Sequence, residues 1–152
     1  QPIVAATEPS YLTIALPADK QGIIAGSALT TLEEQLPRYN AVAMGPGIGR
    51  STELTSLVQS LYTSASVPMV IDADGLNALA ESSVIKPELV TSEKCSGTLP
   101  ERTTLADAAR IITPHPGEFA RLIGGDIETV ENRREELAVR YAKHRKATVS
   151  LF

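Results

Sequence analysis

Three short segments carry the residue types that could do chemistry. In Gly45-Pro46-Gly47-Ile48-Gly49-Arg50, glycine recurs at every second position after an apolar run. Glycine permits positive φ and close main-chain approach. A helix starting just beyond would offer unpaired N–H groups and a partial positive charge, so a phosphate or other anion is the natural ligand. The spacing is not the G-x-G-x-x-G of a dinucleotide fold, because Arg50 takes the sixth position, and no Gly-Lys-Ser/Thr follows as in a P-loop. The same residues serve equally well as a tight strand–helix turn. Asp72-Ala73-Asp74-Gly75-Leu76-Asn77 sets two carboxylates close together. They could hold a hydrated metal or orient a hydroxyl. Alternatively, Asp74 caps a helix while Asp72 satisfies loop N–H groups, and spacing alone favours this second role. An EF-hand is excluded, since no glutamate stands at the twelfth position. Pro114-His115-Pro116-Gly117-Glu118 holds a histidine in the narrow backbone range that flanking prolines impose. Pro116 suits the first position of a helix and Glu118 its first turn. Glu118 is therefore assigned to the helix start and His115 to a substrate-facing role.

The other candidates are weaker. His144 lies in Lys143-His144-Arg145-Lys146, where cations suit a helix C-terminus on a solvated face. Cys95 has no histidine nearby in sequence to activate it.

The elements that must position these segments alternate along the chain. Ile3–Ala6 and Tyr11–Leu16 are apolar stretches of strand length. Ser27–Leu36 places Leu29, Leu32 and Leu36 on one helical face, and Pro37 ends it. Ala41–Met44 is continuous and apolar, as in a strand buried on both faces. Ser51 is an N-cap with Glu53 in the first turn, ahead of Leu54, Leu57, Val58 and Leu61 at i, i+3, i+4 and i+7. Pro68–Ile71 reads as a second buried strand, and Leu76–Ala80 begins a helix. Residues 82–104 lose periodicity and read as a surface excursion. Leu105–Arg110 reads as helical, Ile111–Thr113 as a strand, Phe119–Ile123 as a helical turn, Val130–Lys143 as a helix with Val130, Leu137, Ala138 and Tyr141 inward, and Ala147–Phe152 as a last strand. Apolar strands alternating with helices predict parallel βαβ units and an α/β layered domain. Ligands of open α/β sheets bind outside the carboxyl ends of the strands. The three loops after Met44, Ile71 and Thr113 should therefore line one crevice.

Composition bounds the function classes. At 152 residues, with 43% hydrophobic and 21% charged residues, the chain suits one globular domain and excludes wholesale disorder. A net charge of −4 and 4% aromatic residues, none of them Trp, argue against nucleic acid as a partner. A single cysteine precludes an intrachain disulfide or a thiolate metal cluster and fits a cytoplasmic setting. No apolar run approaches the roughly 20 residues that span a bilayer.

Taken together, in order and, apart from a longer stretch between Ala80 and Arg110, in spacing, the segments from Ala43 to Gly49, Val70 to Leu79 and Ile112 to Phe119 resemble the signatures of the ADP/ATP-dependent NAD(P)H-hydrate dehydratases. The resemblance runs from about Tyr39 to the end. It implies a ribokinase-like αβα domain with a mainly parallel sheet, of which residues 1–152 are the central part. It implies repair of NADH or NADPH hydrated at the nicotinamide ring: ATP or ADP, with Mg2+, phosphorylates the ring hydroxyl, and loss of phosphate restores the reduced cofactor. It implies that Gly47, Gly49 and His115 contact the hydrated nucleotide, with Asp72, Asp74 and Asn77 beside them. It also implies homo-oligomers and a fused or separate epimerase. The family's Lys-Gly-x-x-Thr phosphate turn and its Gly-Thr-Gly-Asp segment, whose aspartate is the catalytic base, do not occur in these 152 residues. The expected base thus lies outside the chain, and the chain alone is expected to be inactive. A vitamin-precursor kinase of the same superfamily and a non-catalytic nucleotide-binding module are the alternatives.

Overall fold

The structure is a computed structural model that describes residues 10–81 and 107–151. Its centre is a parallel sheet of four strands in sequential order: β1 (Val42–Met44), β2 (Met69–Ile71), β3 (Arg110–Ile112) and β4 (Ala147–Val149). The helices are α1 (Ala28–Gln35), α2 (Thr52–Ser64), α3 (Ala73–Ala80), α4 (Pro116–Ile123), α5 (Ile127–Asn132) and α6 (Arg134–Arg145).

Burial follows the strand period. Met69, Ile71 and Ile112 are buried, and with Val42, Met44 and Val149 they pack into the helical core. The in-register row Ala43, Val70, Ile111 and Thr148 points to the other face and is half-buried or exposed. Of the expected αβα layering, the described residues thus hold the sheet and one helical layer. Among the described residues β1 is an edge strand and Ala43 is exposed, which corrects the expectation of a strand buried on both faces.

Helix starts obey local chemistry. Ser51 Oγ accepts the Leu54 N–H at 3.0 Å, and Leu54, Leu57, Val58 and Leu61 are buried as their spacing requires. Pro37 ends α1 by tightening the chain into a 3-10 turn over Leu36–Arg38. Gly124, at φ 68°, closes α4.

Several expectations are corrected. Tyr11–Leu16 forms no strand: no neighbour pairs with it among the described residues, and Leu12 is 90% exposed. The helix expected over Val130–Lys143 is two helices. Asp126 caps the first by accepting the Thr129 N–H at 2.7 Å, which also holds its carboxyl below the usual range. Arg133 then leaves helical geometry at φ −129°, ψ 30°. Val130, Leu137 and Tyr141 are buried, and Ala138 is half-buried. Residues 107–109 are not helical, and Arg110 opens β3. The stretch Ile3–Ala6, Cys95 and the excursion at 82–104 lie outside the described residues. No helix among the described residues is long and apolar enough to cross a membrane.

Arg110 is a charged residue only 1% exposed. Its guanidinium donates to the main-chain carbonyls of Tyr62, Ala65, Val67, Ala108 and Ala109. It thereby satisfies the C-terminal end of α2 and the segments entering β2 and β3. Its charge lies 5.7 Å from the Tyr62 ring centre. Burial pushes the hydroxyls of Tyr62 and Tyr141 above the usual phenol range.

Candidate functional site

The carboxyl ends of β1, β2 and β3 lie along one edge of the parallel sheet, so the three chemistry-bearing loops leave it on the same side, where ligands of open α/β sheets bind. The first two loops interlock. Met44 O accepts the Asp72 N–H at 3.1 Å. Gly45, at φ +139°, lies so close to the β2–α3 junction that a Cβ there would stand 1.7 Å from Asp72 O. A Cβ on Gly75 would stand 3.1 Å from Met44 O and 2.9 Å from the Ile71 side chain. Gly45 and Gly75 are therefore close-packing glycines, a role that sequence reading did not give them. Gly47, at φ +70°, has open space beside it, and Gly49, at φ +83°, lies against Ile23. Of the loop glycines, Gly47 offers its main chain most openly to a ligand.

The two aspartates exchange the structural roles that spacing favoured. Asp72, not Asp74, is the N-cap of α3, accepting the Ala73 N–H at 2.9 Å. Ala73 sits at φ +45°, a strained value for a residue with a Cβ. Asp74 reaches across to the glycine loop. Its Oδ2 accepts the Gly49 N–H at 3.2 Å, and its Oδ1 faces Arg50 Nε at 3.5 Å. A carboxylate thus already occupies one N–H of the loop expected to receive an anion. Asn77 is also engaged: its Oδ1 accepts from Arg121 Nε at 3.0 Å and its Nδ2 donates to Ala73 O at 3.3 Å, which ties α3 to α4.

His115 is both a cap and an exposed ring. Nδ1 accepts the Gly117 N–H at 3.1 Å, so the neutral ring carries its proton on Nε2. Glu118 returns the favour, with Oε2 accepting the His115 N–H at 3.0 Å in a capping box. Glu118 is 8% exposed, as expected of a helix-start residue, whereas the His115 side chain is 60% exposed. Nε2 lies 3.5 Å from Glu118 Oε1 and remains accessible as a donor. The structure joins Gly49 to Asp74 by a hydrogen bond, while the hydrogen bonds of His115 stay within its own turn. Arg50 and Arg121, which sequence reading passed over, tie to Asp74 and Asn77. Arg50 was accessible to it as the first cation after the loop; Arg121 was not, because its partner lies on another helix.

A family model for NAD(P)H-hydrate dehydratases matches residues 9–152. The chain belongs to the NAD(P)H-hydrate dehydratase family. It is 34% identical over 151 residues to the bifunctional NAD(P)H-hydrate repair enzyme of Moorella thermoacetica, covering 99% of this chain and 25% of that protein. It is 31% identical over 150 residues to the corresponding enzyme of Thermofilum pendens, again covering 99% of this chain and 25% of that protein. The fold matches the ADP/ATP-dependent NAD(P)H-hydrate dehydratase of Bacillus subtilis, co-crystallised with ATP and Mg2+ and soaked with CoA, at a TM-score of 0.51 and 22% identity. That match covers 85% of this chain and 46% of the other. The α/β sheet described above is thus ribokinase-like, as found in those dehydratases. The chain spans about 25% of the length of these two repair enzymes.

Proposed function

We propose that the protein carrying this chain restores NADH and NADPH from their ring hydrates by ADP/ATP-dependent dehydration. The phosphoryl group moves to the ring hydroxyl, and phosphate then leaves as the ring double bond re-forms. One observation carries the reading most directly. In a chain of this family, a loop with an open main chain at Gly47 and a ring donor at His115 Nε2 leave the parallel sheet on the same side. Such a pair suits the polar, uncharged groups of a hydrated nicotinamide: main-chain groups at Gly47, with Gly49 beside them, and a fixed N–H from His115. Asp72, Asp74 and Asn77 frame that wall.

Among the described residues no group of three or more His, Cys, Asp or Glu side chains is placed to hold a metal ion. We place the phosphate clamp and the base aspartate outside these 152 residues, in which the family's Lys-Gly-x-x-Thr and Gly-Thr-Gly-Asp segments do not occur. The bifunctional relatives support an epimerase activity in the same protein, and we place the enzyme in the cytoplasm as a homo-oligomer. The test is to mix the full-length protein with NADH hydrate, ATP and Mg2+ and follow the near-ultraviolet absorbance of the dihydronicotinamide. Recovery that requires nucleotide supports the reading. A stable phosphorylated alcohol without recovery would instead mark a kinase.

A further inference from the structure

The second loop of the crevice acts as the mould of the first. Met44 O and Gly45 pack on the main chain of Asp72, and Gly75 packs beneath both. These contacts fix where the glycine loop begins. Asp74 helps fix where it ends, across 25 residues of sequence, by accepting the Gly49 N–H. Its other oxygen faces Arg50, so the carboxylate is balanced by a cation of the same loop. The Asp74 side chain is 25% exposed, against 68% for Arg50.

We propose that Asp74 is a positioning residue that works through the glycine loop. It holds Gly49 and Arg50 so that the main chain at Gly47 stays presented to substrate, and it does not itself touch substrate. The physical need is plain. Gly47 and Gly49 both have positive φ, and glycines leave a loop many alternative paths. A charge-assisted hydrogen bond at the far end removes most of those paths. The substrate half of this inference rests on the hydrate-dehydratase reading; the loop half does not.

The experiment compares Asp74→Ala and Asp74→Asn in the full-length protein, with two readouts. The first is hydrogen–deuterium exchange of peptides spanning the glycine loop. The second is the KM and kcat for NADH hydrate. Asp74→Ala should speed loop exchange and raise KM, each by about tenfold, the scale of one hydrogen bond to a charged group. Asp74→Asn keeps an amide oxygen for the Gly49 N–H and should bring both back to within about threefold of the parent. Unchanged loop exchange in Asp74→Ala would overturn the brace. So would an Asn variant that keeps native loop exchange yet shows the full loss in KM, because the carboxylate would then be meeting substrate directly. Should Asp74→Ala unfold, seen as faster exchange in α6 as well, Asp74→Ser takes its place, since its hydroxyl is too short to reach Gly49. If the parent protein turns over no hydrate at all, the function fails while the exchange readout still decides the brace.

Discussion

The two ends of the sheet solve the same problem in opposite ways. At the carboxyl ends of β1 to β3, polar groups stay half-exposed, and positive-φ glycines bring main chain to the surface. At the amino ends, Arg110 is sealed in, and its donors are spent on main-chain carbonyls. The hydroxyls of Tyr62 and Tyr141, also buried, have no hydrogen-bond partner among the described residues. The closed end therefore holds the helices to the sheet, while the open end keeps donors and main chain available. Damage at the closed end should appear as lost stability with little change in ligand preference. Damage at the open end should divide by residue into packing and binding.

Gly45→Ala is the largest effect expected at the open end. Its Cβ would stand 1.7 Å from a main-chain oxygen, so the loop must move and the chain should not accumulate in folded form. Gly47→Ala, two residues on, has open space and loses only about 1–2 kcal/mol to its positive φ. Thermal unfolding of the pair checks this contrast. Equal losses would show that the loop does not rest on Asp72.

Arg110→Met comes next. It orphans buried carbonyls at the end of α2 and should cost about 3 kcal/mol or more in a denaturant titration. The crevice should keep its ligand affinity. A loss below about 1 kcal/mol would contradict the staple role.

Tyr141→Phe should be smaller and conditional on pH. The buried hydroxyl has no partner to lose, so stability near neutrality should change by less than about 1 kcal/mol. Burial, more than the neighbouring Tyr62, raises its pKa in the folded state, whereas the unfolded phenol ionises near pH 10. The parent protein should therefore lose stability as pH rises above about 10. The Phe variant should lose less, and identical alkaline unfolding curves would refute the assignment.

His144 gives the smallest effect. Burial first, then Arg145, lowers its pKa, so the unfolded chain takes up the proton more readily. Stability should fall slightly as pH drops below about 6.5. His144→Gln should flatten that slope.

Much of this was legible beforehand, and the rest has identifiable causes. The α2 helix, its Ser51 cap and its buried face followed from spacing alone. So did β2, β3 and the Pro116–Glu118 helix start, because Pro and Glu at those positions have few alternatives. Asp74 was misjudged because its partner is a main-chain N–H in another loop, and no local pattern announces that. Arg110 was read as a helix end, since five carbonyl partners brought together by tertiary packing leave no trace in a window of neighbours. The break at Arg133 was missed because nothing near it is Gly or Pro. Gly45 and Gly75 pack against each other's segments, a relation visible only once β1 and β2 are paired.

The central claim is that the open end presents His115 to a hydrated nicotinamide, and one substitution tests it. His115→Asn keeps a side-chain acceptor for the Gly117 N–H, so the cap should survive and the melting temperature should stay close to the parent's. The donor at Nε2 is lost. The account predicts a folded full-length protein whose recovery of dihydronicotinamide absorbance from NADH hydrate falls by at least about tenfold in kcat/KM. A folded Asn variant with undiminished recovery would contradict it.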